Sequence, residues 1–424
     1  MKLSIYAKDE YGLSEEEIRM GLIKSLEGRT LRRVLILPPD FTRYHSNCGL
    51  ITAIYYRLLT EMGCEVDVMP AIGTHVPMTR EQAETMFPGV PYEKLLVHRW
   101  REDVVKIGEV PADYLSGISE GLWKEPISAE INRRVMDERY DLILSAGQVI
   151  PHCVAGMANH AKNLFVGVGG SEMINKSHML GAVYGIERVL GRDHTPVRQL
   201  FDYSFEHFLK DRPILFVMTV CTAPEGKIRT HGLFIGEERD AYDDAVALSQ
   251  KVNLIFMDRS IRKCVAYLDP KEFISTWVGN KAIYRTRMAM EDGGELLILA
   301  PGIREFGEDP ENDRLIRKYG YVGRQKILTQ FNDPKNTDLR ENMGAAAHLI
   351  HGSVDGRFHV TYAVRDVTEA EIASVGFAPM RYEDAAGRYD PEKLKPGFQT
   401  MPDGEEIFFI PNPTLGLWVD RSRF

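Results

Sequence analysis

The sequence predicts an α/β protein of two domains built on mainly parallel sheets, and three observations carry that expectation. Short runs rich in Leu and β-branched residues recur along the chain, each ends at Gly, Pro or Asp, and each is followed by apolar residues at helical spacing. A chain of 424 residues exceeds one ordinary core, so the series divides into residues 1–260 and 261–424.

The first clear element is RRVLILPPD, residues 32–40. Its apolar run Val34 to Leu37 stops at Pro38-Pro39, which cannot supply the N–H donors of a ladder, so Asp40, Thr42 and Arg43 fall in a loop at the strand's C-terminal edge. Binding groups of open α/β sheets collect at such edges. CEVDVMPAIGTH repeats the pattern, with a strand over Glu65 to Met69 leading into Gly73-Thr74-His75. YDLILSAGQVIPH repeats it again, Leu142 to Leu144 leading towards His152. PILFVMTVC (213–221) and VNLIFMD (252–258) read as further strands, and ELLILAPG (295–302) with HVTYAV (359–364) as a second sheet. The boundary is placed near 258–270, where SIRKCVAYLDP passes from one strand-helix series to the next. From about Tyr382 the tail is rich in Pro, Gly and Asp and is expected to be irregular covering structure.

Composition narrows the function classes. Hydrophobic residues at 44% and charged residues at 27% describe a chain that folds. A net charge of -9 argues against general nucleic-acid binding, which needs concentrated Lys and Arg. Cys48, Cys64, Cys153, Cys221 and Cys264 stand singly, without a CxxC pair, which fits a reducing cytoplasm and suggests neither a disulfide framework nor a thiolate zinc site. The polar, acidic N-terminus lacks a signal-peptide core, and no run reaches the roughly 20 apolar residues of a membrane span. A cytoplasmic protein without nucleic-acid or membrane partners is expected.

The chemistry concentrates in PHCVAGMANHAKNLFVGVGGSEMINKSHMLG. Histidine suits both proton transfer near neutral pH and metal ligation. His152, His160 and His178 could form a zinc hydrolase set, although their gaps are not those of a helical HExxH site and no thiolate joins them. The run Gly167-Val168-Gly169-Gly170 matches neither dinucleotide nor P-loop spacing and reads as a tight turn. Arg43 offers a planar fork suited to a carboxylate or phosphate; the bland reading pairs it with Asp40.

Together these residues resemble the nickel-dependent lactate racemase family. The resemblance rests on Asp40-Phe41-Thr42-Arg43, Gly73-Thr74-His75, Asn132-Arg133, and Pro151-His152 with Lys162 and His178, in that order. Nine residues separate His152 from Lys162 and fifteen separate Lys162 from His178, as in the family. It implies a nickel-pincer nucleotide, a pyridinium-3,5-bisthiocarboxylic acid mononucleotide, attached at Lys162 and held near Asp40, Thr42 and Arg43, with His178 as nickel ligand. His75 and His152 then exchange the substrate hydroxyl proton on its two faces while C2 is inverted by hydride transfer through a planar 2-keto acid. Arg43 orients the substrate carboxylate or holds the cofactor phosphate. Lys281, in WVGNK, matches a second-domain lysine that faces the substrate, so the resemblance puts the site between the domains. Partners implied are a 2-hydroxy acid and the proteins that make the cofactor.

The departures concern the substrate. Ala158-Asn159-His160 stand where the family usually has Ser-Gly-Gly, Tyr44-His45 where Pro follows the first-loop Arg, and Trp277-Val278 where lactate racemases have Tyr-Gln. His45, Asn159, His160 and Trp277 are therefore candidate substrate-binding residues, and the expected substrate is a 2-hydroxy acid longer than lactate, such as a sugar acid. Lactate racemase itself and a non-catalytic hydroxy-acid or nucleotide binder are the alternatives, beside the zinc hydrolase.

Overall fold

The run that Pro38-Pro39 terminates is an interior strand. The computed structural model describes residues 1–424, the side chains of Glu225 and Leu415 excepted. After Lys2–Tyr6 (β1) comes Arg33–Leu37 (β2), whose four apolar residues are all buried, the pattern of a strand covered on both faces. Glu65–Val68 (β3) pairs with β2 in parallel on one side and Leu142–Gln148 (β4) on the other, with Leu35 opposite both Asp67 and Ile143. Ile214–Thr222 (β5) continues in parallel, Arg229–Gly236 (β6) turns antiparallel, and β1 closes the edge, giving the order β1-β6-β5-β4-β2-β3. Because β2, β3 and β4 are parallel and adjacent, the loops that follow them leave one edge of the sheet.

Helices cover that sheet because their apolar stripes match its faces. Glu15–Leu26 (α1) opens on a reciprocal Ser14–Glu17 capping box, and Cys48–Glu61 (α2) follows the first loop. Ile18, Leu22, Ile51 and Ile54 from these helices share one core with Val34, Ile36, Val66 and Leu144. Ser171–Tyr184 (α3), Pro196–Phe208 (α4), with proline at its first turn behind the Thr195 cap, and Arg239–Asn253 (α5) complete the series.

Contacts divide the chain into residues 1–180 with 189–253, and residues 181–188 with 254–424. The second unit holds Ile261–Tyr267 (β7), Met290–Ala300 (β8), His359–Val364 (β9), Ala378–Arg381 (β10), Gly397–Thr400 (β11) and Glu406–Ile410 (β12). Their order is β10-β9-β8-β7-β12-β11, parallel except for the β11/β12 pair. Both six-stranded sheets are thus mainly parallel.

Three expectations change. SIRKCVAYLDP, where the boundary was placed, carries a strand that was not foreseen, β7, interior to the second sheet with Cys264, Val265 and Ala266 buried. In VNLIFMD only Ile255–Met257 is strand, and it pairs with Trp418–Asp420 outside both large sheets. The tail after Tyr382 is structured, because Glu406–Ile410 is an apolar run with four buried residues that adds to β7, whatever the Pro and Gly content around it. Among the described residues no helix is long and apolar enough to cross a membrane.

Candidate active site

The loops after β2, β3 and β4 meet around a cavity of about 170 Å³, many times the roughly 10–15 Å³ that one water needs, so it is ligand-sized. Its wall includes Asp40, Thr42, Arg43, His75, His152, Asn159, Lys162 and His178, every one from the first unit.

Asp40 caps the turn that follows Pro39. Its Oδ1 accepts the Thr42 N–H and hydroxyl, and its Oδ2 accepts Nδ1–H of His75 at 2.6 Å. Burial pushes this carboxyl up, but the His75 and Thr42 hydrogen bonds and the Arg43 charge outweigh it and hold Asp40 below the usual carboxylate range. Asp40 is therefore the partner of His75, and no ion pair forms between Asp40 and Arg43. With Nδ1 protonated towards Asp40, neutral His75 carries its lone pair on Nε2. His75 is itself held by a turn in which Gly73 takes φ 58° and donates its N–H to the Gly167 carbonyl at 2.9 Å.

His152 is in the opposite condition. It sits in the short hairpin Pro151–His152/Gly156–Met157, where its Nδ1 accepts the N–H groups of Val154 (3.1 Å) and Ala155 (3.3 Å). A nitrogen that accepts two amides carries no proton, so the neutral ring bears hydrogen on Nε2. One wall histidine is thus set as a base at Nε2 and the other as a donor there.

Lys162 opens a π-turn over Asn163–Gly167. Asn163 fixes that turn by donating Nδ2–H to the Leu37 carbonyl, the Ser145 hydroxyl and the Ala146 carbonyl, at the ends of β2 and β4. Burial, then the charges of Arg43 and Arg198, bring the Lys162 amine down to about 7. His178, on α3, donates Nδ1–H to the Ile174 carbonyl at 2.6 Å, and burial keeps it neutral down to about pH 4. Its Nε2 lone pair is the one available for a metal.

The Gly167–Gly170 run is neither a phosphate loop nor a reversal at positive φ. Side chains are excluded by crowding: a Cβ on Gly169 would lie 1.8 Å from the Phe165 carbonyl oxygen, and one on Gly170 2.3 Å from Glu130 Oε2. The Asn132 of the Asn132-Arg133 pair donates to His98 Nδ1 at 2.9 Å, and His98 Nε2–H donates to the Gly169 carbonyl at 3.0 Å, a buried relay that holds the run from behind.

Other candidates lie elsewhere. His160 is 2% exposed and outside the cavity wall; its ring lies 3.9 Å from Phe216 and 5.1 Å from Tyr242. Burial, then Arg198 and Arg239, keeps it neutral. The zinc set His152, His160 and His178 is therefore not assembled, and among the described residues no three His, Cys, Asp or Glu side chains converge on a metal position. His45 is exposed beside Tyr44 and does not line the cavity. Lys281 and Trp277 belong to the second unit, where Lys281 begins the helix Lys281–Thr286 and the Trp277 ring stacks on His348 at 3.9 Å. Asn163, His98 and Gln148 were not singled out in the sequence. Only the adjacency of Asn163 to Lys162 could have marked it.

Comparison with known proteins adds three findings. Residues 22–188 match the model of the lactate racemase N-terminal domain. A crystal structure of a protein from Thermotoga maritima superposes with a TM-score of 0.79 at 25% identity, covering 97% of this chain and 99% of that one. The lactate racemase apoprotein from Thermoanaerobacterium thermosaccharolyticum shares the fold, with a TM-score of 0.68 at 15% identity over 96% of this chain and 93% of the other. No curated protein matches the chain.

Proposed function

For a chain that carries a lactate racemase family domain over residues 22–188, and with it a racemase-like function, we propose inversion of C2 of a 2-hydroxy acid longer than lactate. The observation that carries this reading is the pair of histidines in one cavity with opposite protons on Nε2. Inversion through a planar intermediate needs a base on one face and an acid on the other, and binding alone needs neither.

The residues present fit a nickel-pincer nucleotide. Acylation requires a neutral amine, which Lys162 provides near pH 7. The pincer brings its own carbon and sulfur donors, so the protein need supply one neutral imidazole, and His178 has Nε2 in that form. Arg43, without an ion-pair partner among the described residues, suits a carboxylate or a phosphate. When bound, the cofactor supplies the reversible acceptor for the hydrogen on C2.

The chain's own contribution is proton management. His75 Nε2 takes the 2-hydroxyl proton, and Asp40 stabilises the imidazolium that results. His152 Nε2–H hydrogen-bonds the same oxygen and steadies the charge that develops there. Because its Nδ1 accepts two amides, loss of that hydrogen would leave an imidazolate, so the proton held by His75 is the one returned when the opposite face is rebuilt. Arg43 holds the substrate carboxylate so that C2 stays between the two rings.

The test is intact mass and elemental analysis of protein made in a host that synthesises the cofactor. A sulfur-containing adduct on Lys162, one nickel per chain and interconversion of C2 epimers are expected. Active protein with unmodified Lys162 overturns the reading.

A further inference from the structure

Asn159 stands out among the wall residues by what it lacks. It is 6% exposed, it lines the cavity beside Lys162, and its side-chain Nδ2 has no hydrogen-bond partner among the described residues. The orientation of the amide is fixed, because the His160 N–H can only donate, so the atom it meets at 2.7 Å is the Asn159 carbonyl oxygen. The NH2 end therefore lies over Gly147 at the end of β4, where a Cβ would sit 2.7 Å from it.

The surroundings keep this amide in place at some cost. Asn159 and His160 are consecutive residues at positive φ, 70° and 54°, a backbone that glycine adopts more easily. Arg198, fully buried on α4, donates to the carbonyls of Met157 (2.7 Å) and Asn159 (3.2 Å) and so clamps the strained turn. His160 fills the space behind, against Phe216 and Tyr242. A buried NH2 left unpaired is unfavourable, and because this one lies against Gly147, itself on the cavity wall, a small turn of the side chain brings it to an acceptor on a ligand that relieves it.

We propose that Asn159 is a specificity-determining residue whose amide donates to an oxygen on the substrate beyond C2, so that the preferred substrates are 2,3-dihydroxy acids. This rests on the 2-hydroxy acid reading above. A ligand without that oxygen leaves the NH2 buried and unpaired, a difference of roughly 5- to 100-fold in affinity.

The experiment compares 2,3-dihydroxypropanoate with 2-hydroxypropanoate, which differ by one hydroxyl. Calorimetric titration of the full chain from a host without the cofactor measures binding, and kcat/KM in the cofactor-loaded enzyme measures turnover. Wild type should favour the dihydroxy acid about 5-fold or more in binding. In Asn159→Gly, which suits the positive φ, the ratio should fall to within about twofold. Gly147→Ala, which pushes the amide aside without removing it, should lower the ratio as well. A wild-type protein that binds the two acids equally or binds neither, or a preference unchanged in both variants, overturns the assignment. If Asn159→Gly leaves the preference intact but reduces the yield of the Lys162 adduct, the amide serves the cofactor and the substrate assignment falls. Loss of the racemase reading looks different: neither acid turns over in the loaded enzyme, yet the Asn159-dependent binding preference persists.

Discussion

At Asp40 both carboxylate oxygens are engaged, one by Thr42 and one by His75, so the group orients an imidazole and has no oxygen left over for a ligand. Asp40→Asn would keep the shape but present an NH2 or a poorer acceptor to His75 and weaken the tautomer with its lone pair on Nε2. Turnover should fall by about 10²-fold or more, the usual scale of general base catalysis, with adduct formation at Lys162 retained. Equal loss of adduct would show that Asp40 serves the cofactor. For Lys162, cyanate labelling of protein lacking the adduct should rise through a midpoint near pH 7. Exposed lysines follow only near pH 10.4, and mass spectrometry separates the two; a Lys162 midpoint among the others would contradict its depressed pKa. The sign is set by burial and neighbouring cations, which favour the neutral form. The residue types at 40, 75, 152, 162 and 178 were legible in the sequence, whereas the protons on the two histidines were not. Those depend on Val154, Ala155 and Asp40 meeting the rings, and spacing does not encode such contacts.

The elements that present these residues are strand ends and one irregular turn. The strand at 33–37 and its proline stop were legible, because a short apolar run closed by two prolines admits few other readings. The π-turn after Lys162 was not, because nothing in NLFVG departs from an ordinary helix; Ser145 and Ala146 of β4 and the carbonyl of Leu37 make Asn163 a staple only once β2 and β4 are adjacent. The glycine run was read as a tight turn, whereas Gly167 ends the π-turn, Gly169 bridges to Ile131 and the glycines answer to crowding. Gly169→Ala should therefore destabilise the protein by about 2 to 3 kcal/mol, read as a lower denaturation midpoint, since its Cβ meets backbone that cannot move aside. A neutral effect would mean that the turn relaxes. The tail was misjudged for the converse reason: Pro and Gly counts over a long segment concealed the five-residue strand Glu406–Ile410.

On the scale of the whole molecule, two mainly parallel sheets follow from the repeated strand-helix pattern. The excursion of residues 181–188 into the second unit follows from no local signal. It is marked by Glu187, which accepts from Arg287 at 3.0 Å and from Arg357 within that unit. Arg287 is buried, so Glu187→Gln leaves a guanidinium short of its counter-charge and should cost about 2 kcal/mol in thermal or denaturant unfolding. An unchanged midpoint would show that the carbonyls of His351 and Ser353 suffice for Arg287.

The depressed amine of Lys162 also bears on timing. On an unfolded chain at neutral pH only about one lysine in a few thousand is neutral, whereas about half are once the π-turn has closed onto the ends of β2 and β4. On the attachment proposed above, chain folding would act as the licence for acylation at this position, and a nascent or misfolded copy would be a poor acceptor.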